Sequence, residues 1–195
     1  MKTDIILAGV GGQGILSVAT ILGAAALKEG LYIKQSEVHG MSQRGGEVQS
    51  NLRISSEKIS SDLIPTGAAD LIVSLEPMEA LRYLKYLKPD GWVITSTAPF
   101  VNIDNYPDEA LVMRHLEDSG NVVAFDMDEL ARQLAAPRSG NMALLGAASP
   151  FIDISPDKIE RAISSVFSSK GEKIVADNIK AFRTAREKSL QIAGM

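Results

Sequence analysis

The chain opens on an apolar run, Ile5-Ile6-Leu7-Ala8, and passes through a cluster of glycines into a second apolar stretch, residues 15–27. The first run has the length of a buried strand and predicts β-structure over residues 4–8. The second is apolar nearly all round and rich in alanine, which predicts a helix buried against a sheet. A second strand is expected over residues 31–35. Residues 47–54 then alternate, with Val48, Ser50, Leu52 and Ile54 on one face. Lys58-Ile59-Ser60 returns after Ser55-Ser56-Glu57, which predicts a hairpin and hence antiparallel pairing.

A further βα unit follows. Residues 70–74 read as a strand, and Pro77 opens a helix whose apolar stripe is Ala80, Leu81, Leu84 and Leu87. Lys88-Pro89-Asp90-Gly91 predicts a turn into a strand over residues 92–95, with Trp92 in the core. A helix is expected over residues 108–118, with His115 on its solvated side, and another strand over residues 121–125. The C-terminal third reads as helical. Residues 141–151 carry little charge and should be buried, with Asn141 as N-cap. Ser155-Pro156-Asp157 marks the start of a helix with Ile159, Ala162, Ile163, Val166 and Phe167 on one face. Ile174, Val175, Ile179 and Phe182 mark a last helix, with Lys180, Arg183, Arg186 and Lys188 as its solvated face. Strands alternating with helices, interrupted by one hairpin, predict a single three-layer α/β/α domain over residues 1–195, with a mixed, mostly parallel sheet.

Composition removes several function classes. A length of 195 residues with 45% hydrophobic and 23% charged residues suits one globular domain. A net charge of −4 gives no reason to expect nucleic acid or an anionic membrane as partner. No apolar run approaches the roughly 20 residues of a membrane span, and the N-terminus shows no secretory apolar region, so a cytoplasmic protein is expected. The count of zero cysteines excludes disulfides, a thiolate nucleophile and cysteine-ligated iron–sulfur clusters in this chain. His39 and His115 lie far apart in sequence, and no metal-ligand spacing is present. Electrons, if they are moved, must be carried elsewhere.

Chemistry concentrates in two loops. Gly9-Val10-Gly11-Gly12-Gln13-Gly14 lies between the first strand and the first helix. Its Gly-x-Gly-x-x-Gly spacing fits a phosphate-approaching turn, and the amides of Gly11, Gly12 and Gln13 are candidate anion donors at a helix N-terminus. The spacing also fits a dinucleotide fingerprint, with Glu37 as the ribose acid. Against that reading, Val38-His39-Gly40-Met41-Ser42-Gln43-Arg44-Gly45-Gly46 follows where a second helix belongs. The segment 36–46 instead gathers Ser36, Glu37, His39, Ser42, Gln43 and Arg44 among glycines, as a binding loop does. Arg44 suits bidentate contact with a carboxylate or phosphate, while Glu37 and His39 suit proton transfer or an ion pair. A loop that merely turns the chain and caps its own backbone would use the same residue types.

The pairing of these two loops resembles the small, gamma-type subunit of 2-oxoacid:ferredoxin oxidoreductases. The His39-Gly40-Met41-Ser42-Gln43-Arg44-Gly45-Gly46 form is most similar to the beta subunit of the indolepyruvate branch. Asn141-Met142-Ala143-Leu144-Leu145-Gly146-Ala147 and Asp177-Asn178-Ile179-Lys180-Ala181-Phe182 extend the resemblance over almost the whole chain. It implies the fold of domain III of pyruvate:ferredoxin oxidoreductase and a subunit inactive alone. It further implies a large partner carrying thiamine diphosphate and iron–sulfur clusters, coenzyme A as co-substrate, and ferredoxin as acceptor. On this basis Gly9, Gly11, Gly12, Gln13 and Gly14 are expected near an anionic group of coenzyme A. Ser36, Glu37, His39, Ser42, Gln43 and Arg44 are expected to face substrate or partner, with no catalytic acid or base assigned. Outside the resemblance, a stand-alone NAD- or FAD-binding oxidoreductase and a non-catalytic adaptor are the alternatives.

Overall fold

The computed structural model describes residues 1–40, 45–101 and 103–195, and of His39 the main chain. In chain order the elements are β1 (Lys2–Val10), α1 (Ile15–Lys28), β2 (Tyr32–His39), β3 (Glu47–Ser55), β4 (Ala69–Ser74), α2 (Pro77–Arg82) and β5 (Leu87–Thr95). They continue as α3 (Glu109–Asp118), β6 (Asn121–Ala124), α4 (Met127–Gln133), α5 (Gly140–Ala148), α6 (Pro156–Phe167) and α7 (Glu172–Ala193).

Six strands form one sheet in the order β2-β3-β1-β4-β5-β6. β1, β4, β5 and β6 pair in parallel. β3 is antiparallel to β1 on one side and to β2 on the other. Five strands therefore share one direction, and β3 alone opposes them. Because side chains alternate across a sheet, the apolar run of β1 serves both faces. Ile5 and Leu7 join Leu71, Val73 and Ile94 under α1, α5, α6 and α7. Ile6 and Ala8 join Ile72 and Val93 under α2 and α3. The three-layer α/β/α expectation holds.

The hairpin differs from the expected one. β3 meets β2 over its whole length, from Tyr32↔Ser55 to His39↔Val48, and residues 58–60 form no strand. Both edges of β3 are taken by β1 and β2, so a return after Ser55 has no free edge to pair with. For the same reason β2 continues past residue 35, and Ser36, Glu37 and His39 lie on a strand rather than in a loop.

Smaller differences have local causes. Leu84 falls in a 3-10 turn and Leu87 at the start of β5, yet Leu81, Leu84 and Leu87 pack against one core because three-residue spacing is in phase with a 3-10 helix. The predicted turn at residues 88–91 interrupts pairing within β5, where the register moves from Ala69↔Leu87 to Leu71↔Trp92. α4 was not anticipated from the sequence; Asp126 caps it through the Glu129 amide at 2.8 Å. α5 begins after Ser139, so Asn141 lies inside the helix and is not its N-cap. Ile174 is exposed, and α7 instead buries Asn178, Ala181, Phe182, Ala185 and Ser189. Its cationic face is engaged: Arg183 grips Glu160 at 2.6 and 2.7 Å, Arg186 donates to Ser149 Oγ at 2.9 Å, and Lys188 lies 4.5 Å from the Phe125 ring centre. Trp92 is half-buried and stacks on Phe151 with ring centres 4.5 Å apart, while His115 is exposed. Among the described residues, no helix is long and apolar enough to cross a membrane.

Candidate functional site

β1 and β4 are neighbours whose onward helices cover opposite faces of the sheet, α1 one and α2 the other. Such a divergence leaves a crevice at the carboxyl ends of the two strands. The glycine loop lies in that crevice. Gln13 spans it: Oε1 accepts from the Val10 amide at 2.7 Å, and Nε2 reaches the Leu75 carbonyl, just past β4, at 3.5 Å. Gly9 is buried in β1, and a Cβ there would lie 2.9 Å from Gln13 Oε1, so the bare backbone makes room for the clamp. Gly12 and Gly14 adopt φ of 105° and 74°, the region that favours glycine. Asn141 Nδ2 donates to the Gly14 carbonyl at 3.1 Å.

The two motif loops meet. The Gly11 amide donates to Gly46 O at 2.8 Å, and the Gly40 amide donates to Glu47 O at 2.8 Å. Of the three amides expected to bind an anion, Gly11 is therefore spent on Gly46, and Gln13 on Val10 O at 3.1 Å. Gly12 keeps its amide without a partner among the described residues. The other open donors are the first amides of α1, which begins at Gly14 with no side-chain cap. Of the second loop's predicted residues, Ser36 is half-buried on β2 and Glu37 exposed, with Gln35 Nε2 donating to Glu37 at 3.2 Å and to Ser50 Oγ at 3.1 Å. Ser42, Gln43 and Arg44, with the side chain of His39, lie outside the described residues.

A cleft of about 480 Å³ opens over the glycine loop. Gly11, Gly12, Gln13 and Gly14 form its floor, and Phe100, Asp128, Arg138 and Asn141 stand in its walls. The last four were missed in the sequence as binding residues. The cluster Ala136-Pro137-Arg138-Ser139-Gly140 carried a loop signal that pointed there. In this loop Ala135 adopts φ 58° and Arg138 is exposed, with no ion pair among the described residues. Asp128 lies so close to Gly140 that a Cβ there would come within 2.1 Å of its Oδ1. Desolvation in this wall, with Asp126 adding to it and Arg132 opposing, pushes the Asp128 carboxyl above the usual aspartate range. A positive helix terminus and Arg138 thus face a carboxylate that resists ionisation, an arrangement suited to an anionic ligand.

On the other face of this sheet end lies a polar cluster. Glu76, 1% exposed, caps α2 through the Glu79 amide at 2.7 Å and accepts from the Tyr106 hydroxyl. Buried Glu79 takes Arg82 at 3.0 and 3.2 Å, and the Tyr83 hydroxyl donates to Glu47. These contacts hold α2 and α3 behind the crevice.

The dinucleotide reading fails on topology. In such a fold the second strand lies beside the first, whereas here β3 separates β1 from β2. Glu37 is two strand spacings from β1, about 10 Å, and a strand rather than a helix follows it. For iron–sulfur chemistry the chain offers no thiolate.

The comparisons agree with this geometry. Residues 4–188 match the pyruvate ferredoxin/flavodoxin oxidoreductase family model. The indolepyruvate oxidoreductase subunit IorB of Thermococcus kodakarensis is 36% identical over 202 residues, covering 98% of this chain and 98% of that protein. The protein of the same name from Pyrococcus horikoshii is 38% identical, covering 92% of each. Among solved structures, the keto/oxoacid ferredoxin oxidoreductase gamma subunit of Geobacter sulfurreducens superposes with a TM-score of 0.70 at 26% identity, over 97% of this chain and 99% of that one. The 2-oxoglutarate:ferredoxin oxidoreductase of Magnetococcus marinus, with 2-oxoglutarate, coenzyme A and succinyl-CoA bound, gives 0.76 at 26% identity over 97% of this chain. This chain spans 31% of that longer one. With a family match over nearly its whole length and the fold of the gamma subunits, the chain belongs to the pyruvate ferredoxin/flavodoxin oxidoreductase family.

Proposed function

We propose that this chain is the small subunit of a ferredoxin-dependent 2-oxoacid oxidoreductase that acts on indolepyruvate and related aryl pyruvates in the cytoplasm. The complete reaction converts a 2-oxoacid, coenzyme A and two oxidised ferredoxins into acyl-coenzyme A, carbon dioxide, a proton and two reduced ferredoxins. A large partner subunit holds thiamine diphosphate and the iron–sulfur clusters, which supply the decarboxylation chemistry and the electron path. This reading accords with the lack of cysteine here.

The role left to this chain is to hold coenzyme A. The observation that carries the reading is the hydrogen-bonded union of the two loops over the crevice, Gly11 N–H to Gly46 O at 2.8 Å. It brings Gly46 against the glycine loop, whose Gly12 amide and first α1 amides stay open among the described residues. An anionic group of coenzyme A rests on those amides, where unpaired N–H groups and the helix dipole favour negative charge. Ser36, Glu37, His39, Ser42, Gln43 and Arg44 face the partner, with Arg44 on a carboxylate or phosphate and His39 closing the cavity. Phe100 in the cleft wall, with Val101 and Ile103 close to it in sequence, is an exposed apolar residue that suits the same partner surface.

The test is co-expression with a large thiamine diphosphate subunit, followed by an anaerobic assay of coenzyme A-dependent dye reduction with indolepyruvate. Activity requiring both chains, and strongly weakened by Arg44→Ala in a subunit that still folds, is the expected result. Activity without this chain, or kinetics for both substrates unchanged by Arg44→Ala, would refute the reading.

A further inference from the structure

Pro137, Arg138 and Asn141 form a wall shared by the glycine-loop cleft and a second cavity of about 460 Å³, within the size range of small-ligand sites. It lies between α1, the loop before α5, the end of α6 and the first turns of α7. Asn178, only 4% exposed, lines it. Its Oδ1 accepts from Ser139 Oγ at 2.7 Å, while its Nδ2 has no partner among the described residues. Among the described residues no enclosed side-chain polar atom is left unbonded, so that nitrogen is not sealed in, and the cavity is the opening that Asn178 lines. A donor of this kind is completed only by something polar entering from outside.

The surroundings define the visitor's charge. Arg138 and Lys170 are exposed on the rim with no ion pair among the described residues, whereas Lys173 beside them is held by Asp177 at 2.7 Å. Ser17 of α1 also lines the cavity, and Lys170 and Lys173 reach it from either side of Gly171, where α7 starts without a side-chain cap. The two unpaired cations and the open Asn178 amide call for an anion, and the cavity exceeds what one phosphate would fill. Phe167 and Ile174 supply an apolar wall for the remainder.

We propose that this cavity is a second anionic subsite that takes a nucleoside phosphate, with the phosphate between Arg138, Lys170 and the Asn178 amide and the base against Phe167 and Ile174. The inference deepens the coenzyme A reading, on which it rests, since that molecule carries such a nucleotide and the two cavities share a wall. A free adenine nucleotide offers the same chemistry.

Calorimetric titration of the full chain with adenosine 3′,5′-bisphosphate tests it. Lys170→Ala and Arg138→Ala, both at exposed positions, should each weaken binding about tenfold. Asn178→Asp keeps the acceptor for Ser139 but replaces the donor with a negative charge, and should weaken it further with the thermal midpoint checked in parallel. No binding, or affinity unchanged in the Lys170 and Arg138 variants, overturns the subsite. Titration with coenzyme A separates the sources: parallel losses place one molecule across both clefts, and losses confined to the bisphosphate assign a free nucleotide. Normal coenzyme A-dependent turnover in Lys170→Ala, with bisphosphate binding also unchanged, would sink this inference while the subunit function stands. Bisphosphate binding that responds to the variants in a complex without turnover would do the reverse.

Discussion

Asn141 donates from Nδ2 to the carbonyl oxygen of Gly14 at 3.1 Å, tying the start of α5 to the first residue of α1's cap across 127 positions of sequence. The bond uses a carbonyl at the mouth of the crevice and so fixes the glycine loop against the buried helical layer. It also penalises a side chain at position 14. A Cβ at this position would stand 2.7 Å from Asn141 Nδ2, and the backbone is already at φ 74°.

Gly14→Ala combines that clash with a left-handed alanine, which by itself costs about 1–2 kcal/mol. Asn141→Ala removes one hydrogen bond, a loss of about 1 kcal/mol. In urea unfolding the glycine variant should therefore be the less stable of the two. The reverse order would mean that the loop relaxes freely and is not held by α5.

Gly146 meets α7 through backbone. An added Cβ would fall 2.1 Å from the Phe182 carbonyl oxygen, and no rotamer change can relieve that contact. Gly146→Ala must part the two helices and should cost about 3 kcal/mol. Gly9→Ala, whose Cβ meets only the end of the Gln13 side chain at 2.9 Å, should cost less stability but displace the glutamine clamp. Thermal unfolding of both variants gives the comparison, and equal shifts would contradict it.

Asp4 is completely buried and pairs bidentately with Arg53, Nε to Oδ1 at 2.8 Å and Nη2 to Oδ2 at 2.9 Å. Lys2 Nζ also lies 3.0 Å from Oδ2, but its side chain is largely exposed, so removing Arg53 leaves the buried carboxylate under-compensated. With Lys2 still in place, Arg53→Met should destabilise by about 3 kcal/mol, the low end for a broken buried pair, and the double variant Asp4→Asn, Arg53→Met should recover part of that loss. A double-mutant cycle in chemical denaturation measures the coupling; additive losses would show that the pair is not coupled.

Glu79 sets a pH dependence. Burial is the main cause that lifts its pKa above 4.5, with Glu47 and Glu76 adding to it against Arg82. The native state thus holds the proton more tightly than the unfolded chain does. The resulting stabilisation is fully present below 4.5 and lost as pH rises through the higher native pKa. Glu79→Gln cannot ionise, so wild type should lose stability relative to the variant as pH rises from below 4.5 towards neutrality. A difference that stays flat across that window would show that Glu79 titrates as in the unfolded chain.

Much of this molecule was legible in one dimension because it rests on local rules. The apolar run of β1, the glycines before α1, the proline openings of α2 and α6 and the alternation in β3 each follow from backbone geometry and side-chain spacing. The two motif loops could be singled out for the same reason. Pairing could not be read locally. β3 alternates with the right period whichever strand it joins, and only the sheet order, with β3 between β1 and β2, decided its neighbours. That choice lengthened β2, withdrew Ser36 and Glu37 from the loop and excluded the dinucleotide arrangement.

The tertiary structure also decided which donors remain open. Sequence spacing singled out the amides of Gly11, Gly12 and Gln13 alike, but the return of the chain at Gly46 occupies the first, and the loop's own turn occupies the last. Arg138, Asn141 and Asn178 lie far along the chain from the glycine loop, in segments with bland local readings as loop, cap and helix interior. They meet around one pair of clefts because α5 and α7 pack beside α1. Spacing within a segment determines conformation; convergence between segments requires the packed core, and the binding chemistry of this protein depends on that convergence.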